Sequence, residues 1–361
     1  MSEALGTPVC LADYERLAER ALSAQAWAYF AGGSADETTL RWNRGAFDKH
    51  ALVPRVLRGG AGGSTQTTLI GRNIAHPIVV APLAYQRLAH ADGELATAMA
   101  ADAQDALMVL STQSSVTIED AAKAGATCRW FQLYLQPERE ATLHLVRRAE
   151  EAGYEALVVT VDAPVNGVRN REHRTGFQLP AGVAAVNLQA RQAPPTRSPD
   201  GSSIVFGHFV ANAPTWDDIL WLRGETTLPI ILKGILSPDD AVLAIEHGAN
   251  GIIVSNHGGR TLDTAIASLD ALPDIAAVVA GRIPLLLDGG IRRGTDVLKA
   301  LALGASAVLI GRPIVFGLAV NGAFGVSHVL RLLRDEFEVA MALTGCKSIS
   351  EIGPHLLRRA Q

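Results

Sequence analysis

Residues 251–263 read Gly-Ile-Ile-Val-Ser-Asn-His-Gly-Gly-Arg-Thr-Leu-Asp. Ile252, Ile253 and Val254 form a short β-branched run of the kind a buried strand uses. It breaks off at Ser255-Asn256-His257-Gly258-Gly259-Arg260, where two glycines rule out a continuing strand. A base-capable histidine and a fixed cation therefore stand three residues apart at the mouth of a strand. Arginine can hold a carboxylate bidentately and histidine can take a proton near neutral pH, which is what an anionic substrate with an acidic proton needs. A lone histidine beside glycines is more often a hydrogen-bonded loop residue, so the rest of the chain has to supply the weight.

Seven further runs repeat the pattern, at 78–85, 107–112, 129–135, 156–162, 229–234, 283–290 and 306–312. Their hydrophobicity is continuous rather than alternating, as expected of parallel strands buried on both faces. The segments between them carry helical spacing. Glu138–Ala152 places Leu143, Val146 and Ala149 on one face, and Pro238–His247 does the same with Ala241, Ala244 and Ile245. Eight strand–helix units predict a (β/α)₈ TIM barrel, with a doubly wound open sheet as the alternative. The barrel is preferred because polar residues close every run, whereas an open sheet would gather them near its switch point.

The chain is expected to be one domain. Residues 1–77 make an N-terminal extension with a helix near Leu11–Ser23, and 78–320 make the barrel. Residues 321–361 make C-terminal helices, including an amphipathic one at Val326–Leu343. The segment 181–215, rich in proline, serine and glycine, follows the fourth strand and is expected to lie over the barrel mouth as a mobile lid.

Composition excludes several classes. The 361 residues are 48% apolar and 19% charged with a net charge of −4, which gives no electrostatic reason to expect nucleic acid or an anionic membrane. Cys10, Cys128 and Cys346 lie far apart and read as reduced thiols. The start Met-Ser-Glu-Ala lacks signal-peptide character, so a cytoplasmic location is expected. The uncharged stretch between Arg312 and Arg331 contains Pro313, Asn321, Ser327 and His328, which argues against a membrane span. The ten histidines include no HExxH, and no metal site is expected.

In a barrel the active site lies at the C-terminal strand ends. Those ends supply Pro82-Leu83-Ala84, Ser111, Gln132 with Tyr134, Thr160 with Asp162, Lys233, Ser255 with His257 and Arg260, Asp288-Gly289-Gly290, and Gly311-Arg312. The glycines after strands seven and eight, with Arg292, suit a phosphate. Lys233 ends an apolar strand and should point into the mouth, where a fixed positive charge would stabilise the anion of a reduced flavin ring. Gln132, Thr160 and Ser111 offer hydrogen bonds to the polar edge of such a ring.

With these residues assembled, the chain resembles the FMN-dependent 2-hydroxy-acid oxidase and dehydrogenase family from Tyr29 to Cys346. The densest motifs are Ser-Asn-His-Gly-Gly-Arg at 255–260, Leu-Asp-Gly-Gly-Ile-Arg-Arg-Gly-Thr-Asp-Val at 287–297 and Phe-Gln-Leu-Tyr at 131–134. The resemblance implies FMN as cofactor, His257 as base and Asp162 as the carboxylate stabilising its imidazolium. It also implies Arg260 and Arg169 as carboxylate ligands, Tyr29 and Tyr134 at the substrate's carboxylate and hydroxyl, and Lys233 beside the reduced flavin. A homotetramer follows from the resemblance alone. Three positions depart from the usual pattern. Thr261 replaces a glutamine, Gln113 replaces the tryptophan of glycolate oxidase, and Tyr85 follows Ala84 in a phrase similar to 4-hydroxymandelate oxidase.

The expected activity is oxidation of an (S)-2-hydroxy acid to the 2-keto acid with dioxygen reduced to hydrogen peroxide, and Tyr85 points toward an aromatic, mandelate-type substrate. Hydride and carbanion routes both stay open. A dehydrogenase using a quinone or other acceptor is one alternative; a flavin-dependent barrel isomerase is another.

Overall fold

The computed structural model describes residues 7–125, 128–188 and 203–360. Helices α1 (Leu11–Ala21), α2 (Ala24–Ala31) and α3 (Thr38–Asp48) open the chain, followed by strands β1 (His50–Leu52), β2 (Thr67–Leu69) and β3 (Arg72–Ile74). Eight parallel strands then close into a barrel. They are β4 (Ile78–Val80), β5 (Met108–Ser111), β6 (Arg129–Leu133), β7 (Leu157–Thr160), β8 (Ile230–Ile235), β9 (Gly251–Val254), β10 (Leu285–Asp288) and β11 (Ala307–Ile310). Closure is made by β11 against β4, with Ile310 beside Val80. All eight expected runs are barrel strands, and the open-sheet alternative is excluded.

Strand residues bury both faces, which explains the continuous hydrophobicity. Val79, Val109, Trp130, Val158, Ile231, Ile253, Leu286 and Leu309 pack together in one cluster. Their strand neighbours Val80, Leu110, Phe131, Leu157, Leu232, Ile252, Leu287 and Ile310 join the larger core shared with the helices. Leu69 and Ile74 of the β2–β3 hairpin belong to the first cluster and plug it. Periodicity predicts no strand there, because two three-residue strands are too short to show one.

The helices are α4 (Glu94–Ala103), α5 (Ile118–Ala124), α6 (Arg139–Glu151), the short α7 (Asn170–Arg174), α8 (Trp216–Glu225), α9 (Pro238–Glu246), α10 (Ser268–Val279), α11 (Gly294–Ala302) and α12 (Arg312–Thr344). Their starts follow local chemistry. Thr117 caps α5 by accepting from the Asp120 amide, and Ser237 caps α9 ahead of Pro238 and two aspartates that favour the positive helix end.

Two expectations about the C-terminal region are corrected. The helix expected at Val326–Leu343 is the distal part of α12, which begins at Arg312 and bends at Asn321-Gly322, where the backbone leaves helical geometry. Residues 321–361 are also not all helical, because β12 (Leu357–Arg359) pairs antiparallel with β1. Among the described residues α12 is the one helix long and apolar enough to cross a membrane, and 61% of its most apolar window is buried inside the protein. Of the proposed lid, residues 189–202 lie outside the described residues. Its start is tied to the barrel by the Val186 amide donating to the Ser114 carbonyl and by Asn187, whose side chain accepts from the Ile118 amide and donates to Ser114 Oγ.

Candidate active site

The strand ends open into a cavity of about 910 Å³. Tyr29, Pro82, Leu83, Ala84, Ser111, Gln132, Tyr134, Thr160, Arg169, Lys233, His257, Arg260, Asp288, Gly289, Gly290, Arg292, Gly311 and Arg312 all line it. Asp162 and Ser255 stand behind its wall.

After β9 the chain takes three successive left-handed residues, His257 (φ 57°), Gly258 (φ 64°) and Gly259 (φ 73°). A Cβ at 258 would come within 2.9 Å of Arg312 Nη1, and one at 259 within 2.7 Å of the Leu40 amide, so the glycines are required on both counts. A histidine held there stores about 1–3 kcal/mol of strain. Its amide donates to Ser255 Oγ at 3.0 Å, and its Nδ1 lies 2.9 Å from Asp162 Oδ1. Ionised Asp162 can only accept, so Nδ1 carries the hydrogen and Nε2 is left to take a proton.

Asp162 is buried. Burial pushes its carboxyl up, but the His257 ring hydrogen-bonded to it and the Lys233 ammonium outweigh that and hold it below the usual carboxylate range. Gly234 gives it room: a Cβ there would sit 2.4 Å from Asp162 Cβ, and the register of β8 shifts at this point.

Lys233 is buried, donates to Ser255 Oγ at 3.0 Å and pairs with Asp288 Oδ2 at 3.2 Å. Burial alone would lower its ammonium, yet Asp288 and Asp162 hold it above its ordinary value, so it remains a cation. The hydroxyl of Ser255, a residue expected at the cofactor, accepts from Lys233 Nζ and from the His257 amide.

The arginines divide into two groups. Arg260 donates through Nη1 to the carbonyls of Tyr29 and Gly32, stacks 5.0 Å over the Tyr29 ring, and places Nη2 3.4 Å from Glu172 Oε1. Burial, then Arg260, lowers Arg169 to about 10, still charged at neutral pH, and its buried Nη1 has no partner among the described residues. Tyr29 and Tyr134 are neutral phenols, pushed well up by burial. Arg312 donates to the carbonyls of Phe30, Gly258 and Gly32, and burial followed by repulsion from Arg260 lowers it to about 9. Three of its guanidinium N–H groups are thus held by the backbone while the residue still lines the cavity, as expected of the Gly311-Arg312 end. What remains for an anion there is the helix start at Gly311-Arg312.

Five contributors are not legible in the sequence alone. Phe177 stacks on Tyr29 with centroids 4.9 Å apart. Glu172 stands between Arg169 and Arg260, and its spacing of three from Arg169 was the available signal. Asn43 of α3 forms a reciprocal amide pair with Asn256, at 2.8 and 2.7 Å. Arg44 and Asp296 grip the 290–293 loop: Arg44 donates to the Gly290 carbonyl, and Asp296 accepts from the Arg292 and Arg293 amides.

The sequence profile of a family described as FMN-dependent dehydrogenase matches residues 18–359. The chain belongs to the FMN-dependent dehydrogenase family. Among its relatives, an L-lactate oxidase of Roseobacter sp. (strain GAI101) is 52% identical over 353 residues, covering 98% of this chain and 95% of the relative. Glycolate oxidase 3 of Arabidopsis thaliana is 46% identical over 343 residues, covering 94% and 93%. 2-Hydroxyacid oxidase 1 of Homo sapiens is 45% identical over 359 residues, covering 97% and 96%. A crystal structure of mandelate oxidase with (S)-2-phenylpropionate superposes at a TM-score of 0.88 with 44% identity, covering 98% of this chain and 99% of that one.

The residues fit the family's FMN. Gln132 Oε1 accepts from Ser111 Oγ at 3.1 Å and from the Thr112 amide at 3.2 Å, leaving buried Nε2 as a donor without a partner among the described residues. Asp288 Oδ1 is the converse, a buried acceptor without one. A flavin ring offers acceptors to the first and its ribityl chain offers hydroxyls to the second. Gly290 leaves no space for a side chain, since a Cβ would meet the Asn43 carbonyl oxygen at 2.0 Å, so bare backbone lines the cavity beside Arg292, which suits a phosphate.

Proposed function

We propose that the protein oxidises an (S)-2-hydroxy acid to the corresponding 2-keto acid while dioxygen becomes hydrogen peroxide. The observation that supports this reading is one cavity lined both by His257, backed by Asp162, and by a carboxylate receptor made of Arg260, Arg169 and Tyr29. Gln132, Lys233, Asp288, Arg292 and the 289–290 backbone would hold FMN, which when bound takes up the two electrons of the alcohol oxidation and passes them to dioxygen.

The chain's own residues perform the rest. Arg260 and Arg169 orient the substrate through its carboxylate, so that the carbon bearing the hydroxyl is fixed in place. His257 takes the released proton at Nε2, and ionised Asp162 stabilises the resulting imidazolium. Lys233 supplies a permanent positive charge where negative charge accumulates during electron transfer.

For the substrate side chain, Tyr85, Tyr29 and Phe177 give the cavity an aromatic lining that supports an acid of the mandelate or 4-hydroxymandelate type. A lactate-type side chain is the second reading, favoured by the 52% identical relative named L-lactate oxidase. Anaerobic mixing of the holoenzyme with (S)-mandelate, (S)-4-hydroxymandelate, (S)-lactate and glycolate, following loss of the flavin absorbance band, separates them. Fastest bleaching by the aromatic acids supports the first reading, fastest bleaching by lactate the second, and bleaching by none removes both.

A further inference from the structure

We propose that Glu172 sets the charge class of the substrate: its carboxylate offsets one of the two guanidinium charges in the carboxylate receptor, so the site is balanced by one carboxylate and rejects a second. This rests on reading the cavity as a 2-hydroxy-acid site.

Glu172 sits on α7 three residues after Arg169, lines the cavity, and is 17% exposed at its side chain. Its Oε1 is 3.4 Å from Arg260 Nη2 and 3.9 Å from Arg169 Nε, so one carboxylate lies against both guanidiniums of the receptor. Those two cations repel each other: Arg260 is the charged neighbour that most depresses Arg169, and Glu172 is the one that most opposes it.

The neighbouring cations are engaged by other groups. Lys233 is paired with Asp288, Arg171 with Glu37, and Arg312 is solvated by three carbonyls. At the carboxylate receptor itself an incoming acid therefore meets two guanidiniums and one carboxylate, a local surplus of a single positive charge, while the Arg312 cation is turned to its three carbonyls. A monocarboxylate neutralises that surplus. A dicarboxylate brings an extra negative charge into a half-buried cavity that already contains Glu172.

Three forms of the holoenzyme test this: wild type, Glu172→Gln, which removes the charge and keeps the shape, and Glu172→Asp, which keeps the charge. Anaerobic flavin bleaching with (S)-2-hydroxybutanoate and (S)-2-hydroxysuccinate gives an apparent affinity and a limiting rate for a monoanion and a dianion. The Gln form is expected to shift the affinity ratio toward the dianion by at least about tenfold, since a unit charge roughly 7 Å away at an effective dielectric near 20 is worth more than that. The Asp form is expected to keep the wild-type ratio. If the Gln form binds both acids more weakly by the same factor, Glu172 only orients the arginines and the proposal is overturned.

A second arm needs no turnover: acetate and malonate are titrated into the oxidised holoenzymes while the flavin spectrum is followed. Should no 2-hydroxy acid bleach the wild type, the substrate reading fails, yet this arm still decides the charge assignment. A malonate gain confined to the Gln form supports it, and equal behaviour of all three forms overturns it.

Discussion

His257 is strained in its backbone, bound through Nδ1 and left with Nε2 as its proton acceptor, and each property is set by a different neighbour. The left-handed turn is made possible by Gly258 and Gly259, the amide is caught by Ser255, and the ring is oriented by Asp162. Replacing Asp162 by Asn should leave the fold intact and slow anaerobic flavin reduction by about 10²–10⁴-fold, because an amide can donate to Nδ1 and favour the wrong tautomer. The same change should alter stability against pH. The Asp162 carboxyl is depressed in the folded state, so its contribution is fully present above the ordinary value of 3.8 and is lost as pH falls through its lower folded value. Urea melts of the Asn form should be flatter than wild type across that acid window, and an identical acid limb would show that Asp162 is not held by His257 and Lys233. At Arg260, substitution by Lys should be severe although charge is kept, since an ammonium cannot serve the Tyr29 and Gly32 carbonyls while also presenting a fork to a carboxylate. A Lys form with wild-type affinity and reduction rate would make Arg260 a distant charge only.

Elements carry these residues to one place, and the N-terminal extension is part of that work. Asn43 of α3 pairs with Asn256 just ahead of His257 and lies under Gly289 and Gly290, so one helix braces both the His257 loop and the 289–290 loop. Asn43→Ala should cost about 1–3 kcal/mol by leaving the Asn256 amide short of partners, read from chemical melts, and should lower the flavin reduction rate more than substrate affinity. Equal stability of the variant would dismiss the brace. The eight barrel strands were legible because each is a continuous apolar run ended by glycine or a polar residue. The hairpin β2–β3 and strand β12 were not, because a three-residue strand whose partner is distant or equally short leaves no period to read. The strand-end residues were legible as a set, but which atom each one uses was not. Ser255 and Lys233 both end strands, yet only the three-dimensional register puts the serine behind the lysine, and only the fold of 30–32 onto Arg312 shows that its guanidinium is occupied.

At the scale of the whole molecule, FMN binding and folding should be linked, because the barrel's strand ends carry buried polar atoms that are satisfied by no other group described. Stripping FMN should lower the thermal midpoint, by an amount that grows with the flavin concentration at which the holoenzyme is compared. Arg292→Ala should reduce that difference sharply while leaving the apoprotein midpoint close to wild type; a variant that keeps its full flavin complement on dilution would misplace the phosphate end.

The most direct test of the function as a whole is a single anaerobic turnover with an (S)-2-hydroxy acid that bleaches the flavin, followed by admission of air with keto acid and peroxide measured together. The expected result is full bleaching by the (S) and not the (R) enantiomer, one 2-keto acid per flavin, and one hydrogen peroxide per keto acid as the colour returns. Bleaching without peroxide on aeration would contradict dioxygen as the acceptor, and conversion of the hydroxy acid with no bleaching at all would contradict an oxidation by this site.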